Sequence, residues 1–146
     1  VSALNKNELD GIVGLVKELV LGKFSMNMLM PVGSAGTNFD ETFISYSEIG
    51  ALVEGVQKKA EAAGLEFMWY SPTPMCIFNP VTRGLGNKGC AACDGLLSVA
   101  PNGDILPCSS YPKPMGNMLD HKGAFRKLWQ SAPFAFFQEK KFAHQL

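Results

Sequence analysis

An excess of charge of either sign is missing from this sequence. Thirteen Lys and Arg residues offset thirteen Asp and Glu, so no global field attracts nucleic acid or an anionic membrane surface. No run approaches the ~18 consecutive apolar residues that a membrane span requires. No basic-then-apolar leader opens the chain, and neither a 20–50-residue repeat nor a low-complexity segment is visible. Histidine is scarce: nothing in the pattern pairs His121 or His144 with a nucleophile, which leaves both with surface or packing roles. What remains is a globular chain of 146 residues, 47% hydrophobic, enough for one domain or one and a half. At that length about 70% of the unfolded surface can be buried.

Cysteine is also sparse, and its placement is informative. Cys90 and Cys93 sit three positions apart on a short loop, and Cys108 follows a predicted hairpin. Leu96-Leu97-Ser98-Val99-Ala100 and Asp104-Ile105-Leu106-Pro107 read as its strands, joined across Pro101-Asn102-Gly103. Asn-Gly is a strong hairpin signal because both residues tolerate positive φ. Folding the hairpin returns Cys108 to the Cys90/Cys93 loop, and Cys76 is the natural fourth member. Paired spacing and the lack of a leader favour metal ligation in a reducing cytoplasm over two disulfides in a secreted protein. A Cys-x-x-Cys redox pair normally opens a helix, whereas Asp94-Gly95 and a hairpin follow here. On spacing alone a structural zinc site uses the same thiolate grammar, although a second Cys-x-x-Cys is absent.

The first half of the chain alternates helix and strand. Asn5 and Glu8 form a capping-box-like pair ahead of apolar residues at Leu9, Ile12, Val13, Leu15, Val16, Leu19 and Val20, and Gly22 ends the helix. Phe24, Met26, Met28 and Met30 alternate with Ser25 and Asn27, which predicts a strand over 24–32. The methionine stripe reads as flexible packing on a strand face rather than a soft-metal site. Pro31-Val32-Gly33-Ser34-Ala35-Gly36 closes it in a loop, and 37–43 reads as irregular. Ser45 or Ser47 caps a second helix to about Ala63, stopped by Gly64, and Leu65, Phe67 and Trp69 mark a second strand. Strand, helix and strand at this spacing imply a parallel pair with a right-handed crossover.

Ser71-Pro72-Thr73-Pro74 is the sharpest break in composition and divides the chain into domains 1–72 and 73–146. In the second, Arg83, Lys88 and Lys113 flank the cysteines as loop charges. Asp120 is placed to cap a helix over 124–130 with Phe125, Leu128 and Trp129 on its apolar face. Pro133 starts a last helix over 134–142. The aromatic residues there read as core rather than as a binding platform.

Cys93, nine residues, Gly103, four residues and Cys108, then Gly116-Asn117-Met118-Leu119 and Leu128-Trp129-Gln130-Ser131, closely resemble the SPASM/twitch region of radical SAM enzymes. The resemblance covers the second half well, and the first half looks like the last units of that family's barrel. It implies an α/β fold: C-terminal helix-strand units of a partial (β/α) barrel, then a small twitch-like β-hairpin with helices. It implies an auxiliary [4Fe-4S] cluster on Cys90, Cys93 and Cys108, with Cys76 either the fourth ligand or an unligated cysteine that leaves one iron open to substrate, and a cofactor-proximal loop at Pro31, Gly33 and Ser34. The cysteine triplet of the radical-generating cluster, spaced four then three, is nowhere in the chain. The expectation is therefore a C-terminal portion of a larger cytoplasmic enzyme, whose N-terminal barrel supplies S-adenosylmethionine and a second [4Fe-4S] cluster. Its implied work is cofactor or peptide maturation on a peptide or tetrapyrrole-like substrate, the auxiliary cluster relaying an electron or anchoring the substrate. The alternative is a non-catalytic binding module stabilised by zinc on four cysteines. A half-barrel would leave open sheet edges at 1–4, 24–32 or 65–70, which favours a dimer.

Overall fold

Two β-strands of the first half pair in parallel around a helix, as the alternation of apolar residues requires. The structure, a computed structural model, describes residues 1–121 and 124–139. The chain forms two compact units, Val1–Gly89 and Cys90–Leu146.

In the first unit a 3-10 turn, Lys6–Glu8, leads into α1, Leu9–Glu18, which buries Leu9, Val13 and Val16. Asn5 does not cap it; its Oδ1 accepts the N–H of Ser2 at 2.8 Å instead. The helix ends before the expected Gly22. Leu21 N–H reaches Val16 O at 3.1 Å and Val20 N–H reaches Lys17 O at 3.0 Å, the paired bonds of a Schellman stop. This stop places Val20 at φ 56°, with 90% of its surface exposed. A β-branched residue gains nothing there and carries the left-handed penalty of about 1–2 kcal/mol. Val20→Gly is expected to stabilise the first unit by about 0.5–1 kcal/mol after the extra chain entropy of glycine is subtracted. A urea titration checks this, and an unchanged or lower midpoint would refute it.

The strand β1 is Lys23–Met26, shorter than the alternation suggested. Its in-register parallel partner β2, Glu66–Trp69, has only four residues, from Lys23↔Glu66 to Met26↔Trp69. Beyond Met26 the backbone turns to other partners: Leu29 N–H donates to Val1 O at 2.9 Å, and Met28 N–H to Ser71 Oγ at 2.7 Å. The 37–43 segment is more ordered than its composition indicated, since Ser34–Thr37 and Phe39–Thr42 are single helical turns. The long helix α2, Tyr46–Ala62, starts and stops where expected. Ser45 Oγ accepts Glu48 N–H at 3.3 Å, and Gly64 takes φ 73° past the end. Glu48 itself pairs with Lys6 at 2.5 Å.

Ile49, Val53 and Val56 of α2 pack with Leu9 and Val13 of α1, with Met26 and with the fully buried Trp69. Phe78 and Leu85 join this core, and Phe78 lies so close that a Cβ on Gly50 would come within 2.9 Å of its ring. The compositional break at Pro72 therefore lies inside the first unit, and the 73–89 segment packs with the helix-strand layer. Mixed α/β character is established, but the described strands form a two-stranded and a three-stranded sheet, with no closed barrel. Among the described residues no helix is long and apolar enough to cross a membrane.

In the second unit β3, Ser98–Val99, and β4, Asp104–Leu106, form the predicted antiparallel hairpin, each shorter than its apolar run. Gly103 N–H donates to Ala100 O at 2.9 Å, and Gly103 has φ 87°. Asn102 is not in the left-handed region, so only the glycine of the Asn-Gly pair uses its freedom. A third strand, β5, Gly116–Asn117, adds to the other edge of β4. The helices α3, Phe125–Trp129, and α4, Ala132–Gln138, follow. Ala124 rather than Asp120 precedes α3, and Asp120 lies in a 3-10 turn, Leu119–His121. Pro133 occupies the first turn of α4. The expected end of that helix near Phe142, and His144, lie outside the described residues.

Candidate metal centre

The Cys90-x-x-Cys93 loop is shaped by its own backbone. Asp94, Gly95 and Leu96 all direct their N–H groups to Ala91 O, at 3.0, 3.2 and 3.1 Å. Cys93 N–H donates to Leu96 O at 2.8 Å, and Cys93 adopts φ 58°. Non-glycine residues seldom take that conformation, and when they do the surroundings must hold them there.

The hairpin supplies the other side. Pairing of Ser98 with Leu106 sets the register, so the chain leaving β4 runs back toward Leu96 and brings Cys108 to the loop. Asn117 locks that register. Its Nδ2 donates to Asn102 O at 3.1 Å and Asp104 Oδ1 at 2.9 Å, while its Oδ1 accepts Leu119 N–H at 2.8 Å. The Gly-Asn pair thus has a mechanical role. Gly116 lets Leu128 approach to where a Cβ would meet Cδ1 at 2.9 Å, and Asn117 ties the turn.

Cys90 and Cys108 open on one cavity of ≈ 380 Å³, with Ala92 and Pro107 beside them. Cys93 does not line it. Its thiol is fully buried with Ile105, Leu128 and Phe134, and Cys93 Sγ–H donates to Met115 Sδ at 3.7 Å. All four cysteines are thiols. Cys76 belongs to the first unit, exposed on a turn in which Ile77 and Phe78 N–H both reach Pro74 O. Among the described residues no three Cys, His, Asp or Glu side chains stand close enough together to hold a metal ion. The structure therefore brings Cys90 and Cys108 together and places Cys93 on the same loop with its sulfur in the core. The donor type, cysteine sulfur, is that of a thiolate-bound cluster, and two such donors, Cys90 and Cys108, share the cavity.

The other predicted positions lie in the first unit. Pro31, Gly33 and Ser34 are exposed in the connection after β1, with Gly33 at φ 57°. They follow the same end of the parallel sheet as Ser71, whose hydroxyl ties the two strand exits together. Ligands of open α/β sheets gather at the carboxyl ends of strands. Arg83 and Lys88 are both engaged in the first unit. Arg83 pairs with Glu54 at 2.9 Å, and Lys88 Nζ stands 5.1 Å from the ring centre of Tyr70. Sequence reasoning missed Met115 as the neighbour of Cys93 and the aromatic lining of the thiol cavity. Neither has a local signature, because both depend on the fold of the last 30 described positions.

Residues 90–145 match the family model of SPASM, an iron-sulfur cluster-binding domain. The match starts at the cysteine loop and is consistent with the SPASM/twitch domain of a radical SAM enzyme. No curated protein matches the chain significantly.

Proposed function

We infer, taking the SPASM-type second unit as premise, that this chain is the auxiliary-cluster portion of a radical SAM enzyme acting in cofactor or peptide maturation. The observation that carries the reading is the pair of thiols, Cys90 and Cys108, on one cavity inside the segment that matches an iron-sulfur domain. A bound [4Fe-4S] cluster supplies one-electron chemistry at that site. Cys90, Cys93 and Cys108 are its ligands from the second unit, and Cys76 is the fourth. Ala92 and Pro107 present apolar surface beside the two cavity thiols, which limits water there. The hairpin, held by Asn117, fixes Cys108 relative to the loop. S-adenosylmethionine and a second cluster belong to the catalytic barrel of the parent enzyme, and Pro31, Gly33 and Ser34 form part of the wall facing that cofactor. The substrate is a peptide or a tetrapyrrole-like molecule, handled in a reducing cytoplasm, and an open strand edge of the first unit favours a dimer.

Iron, sulfide and zinc content after strictly anaerobic preparation and reconstitution tests the assignment. About four irons and four sulfides per chain are expected. Cys76→Ala, measured alongside, is expected to lose the cluster; full retention would remove Cys76 from the ligand set. One tightly held zinc that iron and sulfide cannot displace would overturn the radical-enzyme reading and favour a zinc-stabilised binding module.

A further inference from the structure

The cavity that Cys90 and Cys108 share is lined on one side by three aromatic side chains, Tyr111, Phe136 and Phe137. Among the described residues none that lines it carries a formal charge. Its volume is ≈ 380 Å³. It exceeds twice the ~150 Å³ of an apolar cavity that takes up benzene.

The aromatic side is a built wall. Phe137 meets Tyr111 edge-on at 5.2 Å between ring centres and 77°, and meets Phe136 at 5.2 Å and 87°. Three residues earlier on α4, Phe134 is fully buried with Cys93, Ile105 and Leu128, and Phe137 packs partly against the same cluster. The helix is thus anchored by the core that buries Cys93, and the wall is fixed relative to the loop that carries the thiols. Gln138 Nε2 adds a bond to Trp129 O at 3.3 Å.

We propose that Tyr111 and Phe137 form an apolar cover over the cluster held by Cys90 and Cys108, setting its reduction potential and its resistance to loss. This rests on the cluster assignment above. A thiolate-bound cluster is anionic, and reduction adds a further negative charge. Low dielectric on one face disfavours that charge and lowers the potential, while the same face excludes water and chelators. Tyr111 and Phe137 act through the environment of the cluster and are positioning residues.

The test uses the reconstituted chain, with the rate of cluster bleaching by an iron chelator and the midpoint potential as readouts. Tyr111→Ala and Phe137→Ala are each expected to bleach roughly tenfold faster than the parent chain, as losses in a metal's outer environment do. Both should also shift the potential upward. Phe137→Leu, which keeps an apolar cover, should stay near the parent value. Phe125→Ala, outside the cavity, serves as a control and should match it. If Phe137→Ala fails to fold, Tyr111→Ala decides, because Tyr111 is 37% exposed and lies outside the buried core. Parent-like bleaching and potential in a folded Tyr111→Ala would overturn the cover while leaving the cluster assignment intact. A parent chain that forms no iron-sulfur cluster would overturn the assignment and the cover with it.

Discussion

With Cys108 replaced by alanine, iron and sulfide uptake by the chain is expected to fall to background while the fold survives. The same result is expected of Cys90→Ala. Cys90 is exposed and Cys108 half-buried, and neither belongs to the hydrophobic core. Their removal should leave stability within about 0.5 kcal/mol of the parent, the range of substitutions outside special features. Cluster binding has no such tolerance under the proposed ligation, since among the described residues that line the cavity no other side chain is a ligand that could replace a lost thiolate. Cys93→Ala is a less clean experiment. It removes a possible ligand and also empties a fully buried position with its Met115 contact, so lost iron could follow from lost packing. The pair to measure is therefore Cys90 and Cys108, by iron and sulfide analysis beside circular dichroism. Full iron content in either folded variant would show that the shared cavity is not where the cluster binds.

Gly103→Ala should be the most damaging change in the second unit that touches no cysteine. Two costs fall on one methyl group. Backbone at φ 87° penalises any L side chain, and the added Cβ would stand 2.8 Å from Asn117 Oδ1 and 3.1 Å from Leu119 Cγ. Asn117 cannot move aside without weakening its bonds to Asn102, Asp104 and Leu119. Left-handed strain and overpacking together amount to about 2–5 kcal/mol. Hydrogen exchange across 96–118 should rise sharply, and cluster uptake should fall because Cys108 loses its register. Exchange in the first unit is the internal reference. Parent-like protection of the hairpin would show that Asn117 has room to yield.

These two positions also show what a reader of sequence can see. The hairpin, Cys108 at its end and the importance of Gly103 follow from local rules: a turn dipeptide between two apolar runs, and a spacing that returns one thiol to another. The cap at Ser45 and the stop at Gly64 are equally local, and the order strand, helix, strand implied the parallel pair, although not its register. Other features depended on contacts between distant residues. Strand β5 consists of glycine and asparagine, two poor strand formers, and exists because Asn117 bonds to the turn of the hairpin. Phe78 and Leu85 lie in a stretch rich in glycine, asparagine and proline that reads as a loop, yet they belong to the first core. Val20 carries a helix stop that favours glycine, with Gly22 two residues away. The burial of the Cys93 sulfur follows from the joint packing of β4, α3 and α4, which no spacing of cysteines encodes.

The left-handed backbone at Cys93 creates a conflict of interest at a single codon. Conformation alone favours glycine there, by about 1 kcal/mol or more. Replacing this fully buried side chain by glycine removes the methylene and the sulfur together, about 1.5 kcal/mol of burial before any cavity, and adds glycine's chain entropy of about 0.5–1 kcal/mol. These losses outweigh the relief of strain, so selection for a folded chain alone keeps a side chain here against the preference of the backbone. A thermostability screen or an expression-based sorting of variants would therefore retain cysteine at this site whether or not its sulfur serves a metal, and only an assay of iron would separate the two demands.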